Sequence, residues 1–193
     1  RDHARTLGED TLARRRKVLG VDHPDFCTSA MYLATILFRC GEPESARALD
    51  VDIWGRRRRL LGADHPDTLV SAANVAVGRF CSGDFSGARR LNESVLDRRR
   101  ELLGADHPDT LITTVNLAVC LLNASEPDCA LDYCRQVLAT LDAAAHCDTT
   151  LAGTGRGDAR ALAQRALDAH GDALSGLRPL MTRHRGGAYS PCP

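Results

Sequence analysis

Apolar and small residues recur along this chain at helical spacing. Leu69, Ala72, Ala73, Ala76, Val77 and Phe80 form one series, and Leu111, Val115, Ala118, Val119 and Leu122 form another. Steps of three and four place such residues on one face of a helix. A second kind of series follows each of them: Ala46, Leu49, Ile53, Trp54 and Leu60, then Ala88, Leu91, Val95, Leu96 and Leu102. Stop signals separate the series. Leu19-Gly20, Leu61-Gly62 and Leu103-Gly104 end one kind of helix, since glycine tolerates the left-handed conformation that closes a helix. Gly41, Gly83 and Ser125 end the other kind. Each first helix opens at an Asp-His-Pro-Asp turn, where an Asp is expected to cap the free backbone N–H groups and Pro fits the first turn. Either Asp of the turn suits that role. Each second helix follows Pro43, Phe85 or Pro127.

The turn repeats. Asp22-His23-Pro24-Asp25 returns at Asp64-His65-Pro66-Asp67 and at Asp106-His107-Pro108-Asp109, a step of 42 residues each time. Ala34, Ala76 and Ala118 keep the same register, as do Ala4, Ala46, Ala88 and Ala130, and Leu12, Trp54, Leu96 and Leu138. The small side chain at 46, 88 and 130 lets its helix approach a neighbour closely. One helix pair cannot bury its own apolar surface, whereas stacked pairs can. The expected fold is therefore all-α: a solenoid of stacked antiparallel helix pairs over 1–142, with a C-terminal capping helix. Its units are a partial one at 1–19 and full ones at 20–61, 62–103 and 104–142. Residues 143–179 are a degenerate repeat. His146-Cys147-Asp148-Thr149-Thr150-Leu151 echoes the turn, Gly153, Gly155 and Gly157 break any helix, and a capping helix starts at Asp158 and runs to about Gly176 through Leu162, Ala166, Leu167 and Ala169. Residues 180–193, with Gly186, Gly187, Pro191 and Pro193, are expected to be a flexible tail.

Composition narrows the function classes. Lys+Arg and Asp+Glu are 25 each, so the net charge is zero, which argues against nucleic-acid or membrane binding driven by total charge. Aromatics are only 4%, so Leu, Ala, Val and Cys must fill the core. No apolar run has the length of a membrane span, and no signal peptide opens the chain. Five of the eight cysteines lie in apolar helical patterns, so free thiols and a reducing cytoplasm are expected. The chain starts at Arg1, inside a repeat, and reads as a piece of a longer protein.

The Leu-Gly-x-Asp-His-Pro-Asp-Thr-Leu turn, Asn116-Leu117-Ala118, and Gly-Asp-Phe-x-x-Ala from Gly83 to Ala88 together resemble the 42-residue tetratricopeptide repeat of the kinesin light chain type. The resemblance spans 1–142. It implies a superhelix with a concave groove and a partner protein or peptide as ligand. The Arg- and Ala-rich composition resembles that of actinobacterial proteins, where similar arrays are appended to nucleotide-binding regulators. This chain carries no Gly-rich phosphate loop of its own.

One polar stripe runs along the first helices: Ser29, Tyr32, Ile36 and Arg39, then Ser71, Asn74, Gly78 and Cys81, then Thr113, Asn116, Cys120 and Asn123. The spacing is that of one helical face. In the resembled family, Asn at the place of Asn74 and Asn116 contacts the backbone of an extended peptide. An amide suits that task because it both donates and accepts. Val70, Val77, Ile112 and Val119 are candidate apolar contacts beside the amides. Tyr32 departs from the pattern, so the first unit is set apart. The other reading of the amides, that each bonds a neighbouring repeat, stays open.

The Arg clusters at 14–16, 56–59 and 98–100 fall in the last turns of the second helices, where cations suit the helix dipole. They read as a solvated convex face, with an acidic partner or nucleic acid as the alternative. Asp10 with Arg14, and Asp52 with Arg56, are spaced to pair. His23, His65 and His107 are repeat punctuation rather than a metal site, because packed helices lie ~8–10 Å apart. Cys129 and Cys134 are five apart and diverge, so with His146 and Cys147 they make no persuasive zinc set. No nucleophile sits beside a base. The expectation is a non-enzymatic, cytoplasmic binding module with no catalytic residue, cofactor or metal. Cys192 is the thiol most open to oxidation. The unpaired helix at 1–19 invites a homodimer. The alternatives are a structural or self-associating arm without peptide binding, and a substrate-gripping accessory of a modifying enzyme.

Overall fold

The computed structural model describes residues 2–124, 126–147, 154–168, 180–181 and 190–191. Its helices, in chain order, are α1 Asp2–Leu19, α2 Pro24–Arg39, α3 Pro43–Leu61, α4 Pro66–Cys81, α5 Phe85–Leu103, α6 Pro108–Asn123, α7 Pro127–Cys147 and α8 Thr154–Asp168. Each helix packs against the one before and the one after it, from α1 through α8. This zigzag is the stacked-pair solenoid that the repeat predicts. Its inner helices are α2, α4 and α6, and its outer ones are α3, α5 and α7.

Local chemistry sets the boundaries, with one correction. The cap of each inner helix is the histidine and neither Asp. Nδ1 of His23, His65 and His107 accepts from the backbone N–H of Asp25, Asp67 and Asp109 at 3.1, 3.1 and 3.2 Å. The following Pro occupies the first turn in all three. The outer helix α5 does use an Asp cap, Asp84, which accepts from Gly87 N–H at 2.9 Å. Gly41 and Gly62, past the ends of α2 and α3, have φ of 87° and 89°, where a side chain would be strained. Ser125 lies outside the described residues.

The core runs between the layers. The largest cluster joins α4, α5, α6, α7 and α8 through Phe80, Leu96, Val115, Leu117, Val137 and Leu162. Ala46, Ala88 and Ala130 are all buried, as the close approach of their helices requires. Helix α7 continues past the expected unit boundary at 142 to Cys147. The capping helix α8 packs on both α6 and α7. It begins at Thr154, so Gly155 and Gly157 lie inside a helix that they were expected to interrupt. Burial of Ala159, Leu162, Ala163 and Ala166 along one face outweighs the roughly 1 kcal/mol that each helical glycine costs. Ala169 and the expected continuation to 176 lie outside the described residues.

Within the segment expected as a flexible tail, β1 (Leu180–Met181) and β2 (Ser190–Pro191) pair antiparallel, with Leu180 opposite Pro191 and Met181 opposite Ser190. Strand β1 lies against α4. No helix among the described residues is long and apolar enough to cross a membrane.

Candidate binding surface of the inner helices

The polar stripe splits into residues with different neighbours. At its N-terminal end, Ser29, Ser71 and Thr113 are each held by an arginine of the preceding helix, α1, α3 or α5. Arg15 donates to Ser29 Oγ at 2.6 Å, Arg57 to Ser71 Oγ at 2.9 Å and Arg99 to Thr113 Oγ1 at 2.6 Å. The same three guanidinium groups donate to the carbonyls of Asp25, Asp67 and Asp109. The Arg clusters are therefore not the uniformly solvated face that the sequence leads one to expect. Arg57 and Arg99 are 2% and 1% exposed and tie one unit to the next, while their neighbours face water. The expected pairs Arg14–Asp10 and Arg56–Asp52 do form on the outer surface, both at 2.8 Å.

Further along, the outer helices still touch the stripe. Asn92 of α5 donates to Cys120 Sγ at 3.6 Å, and Gly78 faces the stem of Arg47. Asn74 and Asn116 are 1% and 0% exposed, and both are engaged in polar contacts. Tyr32, at the equivalent place in α2, is 44% exposed. Arg39 is exposed as well, and Asn123 donates to the Val119 carbonyl at 2.9 Å within its own helix. Val70 packs with Phe26, Cys27, Ala30 and Met31 of α2, and Val77 with Phe38 and Cys81. Ile112 and Val119 belong to the main core cluster. The open part of this layer is thus on α2. On α4 every residue from Thr68 to Val77 is buried, and on α6 every residue from Thr110 to Leu122.

Two features, one of them a buried group, escaped the sequence reading. Asp50 of α3 is buried, and desolvation pushes its carboxyl up to about 7. One repeat later the same position is Asn92. The signal was available, since Asp50 lies within the apolar run from Ala46 to Ile53. The second is Cys81, which is disulfide-bonded. This corrects the expectation of free thiols throughout, although Cys27, Cys40, Cys120, Cys129 and Cys134 are free. Burial pushes the Cys120 thiol up to about 12 and the Cys134 thiol to about 11, which makes both unreactive at neutral pH.

Cys129 is exposed while Cys134 is buried, so the two diverge; the side chains of His146 and Cys147 lie outside the described residues. Among the described residues no group of three metal-ligating side chains comes together. The outer layer carries clefts at repeat spacing. One of about 390 Å³ is lined by Leu12, Phe26, Leu33 and Leu49, and one of about 280 Å³ by Trp54, Leu69, Leu91 and Arg98. Arg98 reaches Asp64 at 3.0 Å across the second.

Comparison with known proteins agrees with this geometry. A kinesin light chain-type protein of Podosopora anserina, with nearly identical TPR-like repeats, superposes at a TM-score of 0.69 with 23% identity, over 90% of this chain and 80% of that one. BtubC (BKLC) from P. vanneervenii superposes at 0.61 with 20% identity, over 97% of this chain and 62% of that one. At these identities the likeness is one of fold. No curated protein matches the sequence. Models of the tetratricopeptide repeat match residues 1–25, 27–67 and 74–143, which is most of the helical array. With its 42-residue turns, its zigzag of helix pairs and these matches, the chain belongs to the tetratricopeptide repeat family.

Proposed function

We propose that this chain binds an extended segment of a partner protein along its inner helices and does no chemistry of its own. Tetratricopeptide repeats are a general protein-interaction fold. The observation that carries the proposal is the recurrence of one amide-plus-aliphatic set on consecutive inner helices: Asn74 with Val70 and Val77, then Asn116 with Ile112 and Val119. An amide can bond both the N–H and the C=O of an extended backbone, and the branched side chains beside it favour apolar partner residues. Tyr32, Arg39 and Asn123 extend the surface at its two ends. Because Asn74 and Asn116 are buried, an incoming segment first meets α2 and then displaces whatever covers α4 and α6. The module would serve within a larger regulatory protein of the cytoplasm. A second copy would meet it through α1, where Leu7 and Val18 are exposed.

The test is capture of partners by the chain in its parent protein, with Asn74→Ala plus Asn116→Ala as the variant. Loss of capture with an unchanged melting temperature supports the proposal. Unchanged partner affinity overturns it. The burial of both amides favours one other reading, in which they join neighbouring repeats and the array is a structural arm. That reading expects the double variant to melt earlier and to bind as before.

A further inference from the structure

We propose that Asp50 receives a basic side chain of the partner, a lysine or arginine that enters beside Gly78 and pairs with the Asp50 carboxylate. This names the partner chemistry for the inner surface and rests on the reading of that surface as a peptide site. The register between the layers leads to it. Positions 28 residues apart face each other in successive units. A Cβ at Gly8 of α1 would stand 3.5 Å from Ile36 Cδ1 of α2. Asn92 of α5 donates to Cys120 Sγ of α6 at 3.6 Å. Cys134 of α7 and Leu162 of α8 lie in one buried cluster. The same step pairs Asp50 of α3 with Gly78 of α4. Arg47 fits this register, since it precedes Asp50 by one turn on the same face and its Cγ lies 3.6 Å from where a Gly78 Cβ would stand.

The other pairs are complementary. Glycine faces isoleucine, an amide donates to a sulfur, and cysteine packs with leucine. Asp50 faces a residue without a side chain. It is 5% exposed and has no hydrogen-bond or ion-pair partner among the described residues. A carboxylate held away from water without a partner is costly. Desolvation is what acts on this one, pushing it up to about 7. The cations of α3 nearby are committed elsewhere. The Arg47 guanidinium sits on Glu44 at 2.6 Å, and Arg57, two turns on along the buried face, holds Ser71 and the Asp67 carbonyl. The next repeat carries a milder form of the same deficit: Asn92 Oδ1 is buried and accepts no hydrogen bond among the described residues.

Access and shape select the occupant. Gly78 is half-buried where Cys120 is buried, so the inner wall is open at this one of the two positions. A long unbranched side chain can line such an opening with its methylenes and carry its charge to a recessed carboxylate. An ammonium then offers three N–H donors and a guanidinium five. A metal ion fits less well, since no group of three ligating side chains forms among the described residues.

Selection of a random peptide library, displayed on phage, against the full chain is the first test. Lysine or arginine should be enriched about tenfold at one position of the selected peptides. The enrichment should vanish on Asp50→Asn plus Gly78→Cys, which copies the pair at 92 and 120 and so keeps a packing the fold already uses. Selected peptides without a basic preference, or with one that survives in the double variant, overturn the proposal and leave the peptide site intact. The second test needs no peptide. At pH 8, where the carboxyl is ionised, n-butylammonium chloride should raise the melting temperature of the wild type by roughly 1–3 °C over tetramethylammonium chloride of equal concentration, which has charge but no N–H donor. The double variant should melt alike in both salts. Equal melting of the wild type in both salts overturns the proposal. If butylammonium stabilises only the wild type while no peptide is selected at all, cation recognition by Asp50 stands and only the peptide reading fails.

Discussion

Arg57 reaches from the last turns of α3 to the first two turns of α4, where its Nη1 donates to Ser71 Oγ at 2.9 Å and to the Asp67 carbonyl at 3.1 Å. One repeat later Arg99 makes the same pair of bonds to Thr113 and Asp109, at 2.6 and 2.9 Å. One repeat earlier Arg15 does so from a half-buried position. A planar guanidinium suits the task because one group satisfies a carbonyl and a hydroxyl together.

Truncating Arg57 or Arg99 to Ala removes charge-assisted bonds at a buried site, leaves Ser71 or Thr113 without its donor, and opens a cavity. Each variant should cost about 2–4 kcal/mol in urea unfolding. Arg15→Ala, half open to water, should cost under about 1 kcal/mol. Equal losses at all three positions would mean that burial is not what gives this clamp its strength.

The histidine caps give a second prediction. His65 and His107 each present Nδ1 to a backbone N–H two residues on. His65→Ala leaves that N–H without its acceptor and should cost about 1 kcal/mol of unfolding free energy. His65→Asn restores a cap acceptor and should recover most of the loss in the same urea titration. Equal losses for Ala and Asn would show that the imidazole matters for packing rather than as a cap.

The pattern of what was legible follows from the range of each signal. Helix ends at Leu61-Gly62 and Leu103-Gly104, and starts at Pro43, Phe85 and Pro127, are written in adjacent residues, and they match the observed helices. The histidine cap was hidden because it depends on the orientation of a ring that could as well face water. Arg57 was hidden among Arg56, Arg58 and Arg59, since neighbours differ by about 100° around a helix and only one of them meets the next unit. The stripe spacing tells which side chains share a face, so Asn74 and Asn116 were found together. It cannot tell what covers that face. The contact of β1 with α4 joins residues a hundred positions apart, outside any repeat, and no periodicity announces it.

Asp50 makes stability depend on pH. Its carboxyl is buried, has no hydrogen-bond or ion-pair partner among the described residues, and is pushed from 3.8 up to about 7 by desolvation. A raised carboxyl means that the folded chain holds the proton more tightly than the unfolded one. Its contribution is therefore most favourable below about pH 4, declines as pH rises through about 7, and is fully lost above. The difference is of the order of 4 kcal/mol at most. Asp50→Asn, the residue that the next repeat carries at position 92, should remove the dependence. The variant should be more stable than wild type at pH 8 by a few kcal/mol, with the two converging near pH 4. Parallel urea midpoints from pH 4 to pH 8 would refute this.

Gly87 and Asp84 supply a prediction whose sign reverses with background. Gly87 sits in the first turn of α5, where its N–H donates to the Asp84 cap at 2.9 Å. A Cβ on residue 87 would stand 2.0 Å from Asp84 Oδ2 and 2.6 Å from Cγ. Alanine there must drive the carboxylate off the cap, at a cost of about 1 kcal/mol. Alanine also gains up to about 1 kcal/mol over glycine inside a helix. In the wild-type background the two terms oppose each other, so Gly87→Ala should be neutral or destabilising. In the Asp84→Ala background no cap remains to lose, and the same substitution should stabilise by about 0.5–1 kcal/mol. A double-mutant cycle on thermal unfolding reads this directly. Additive effects would show that residue 87 and the cap do not meet.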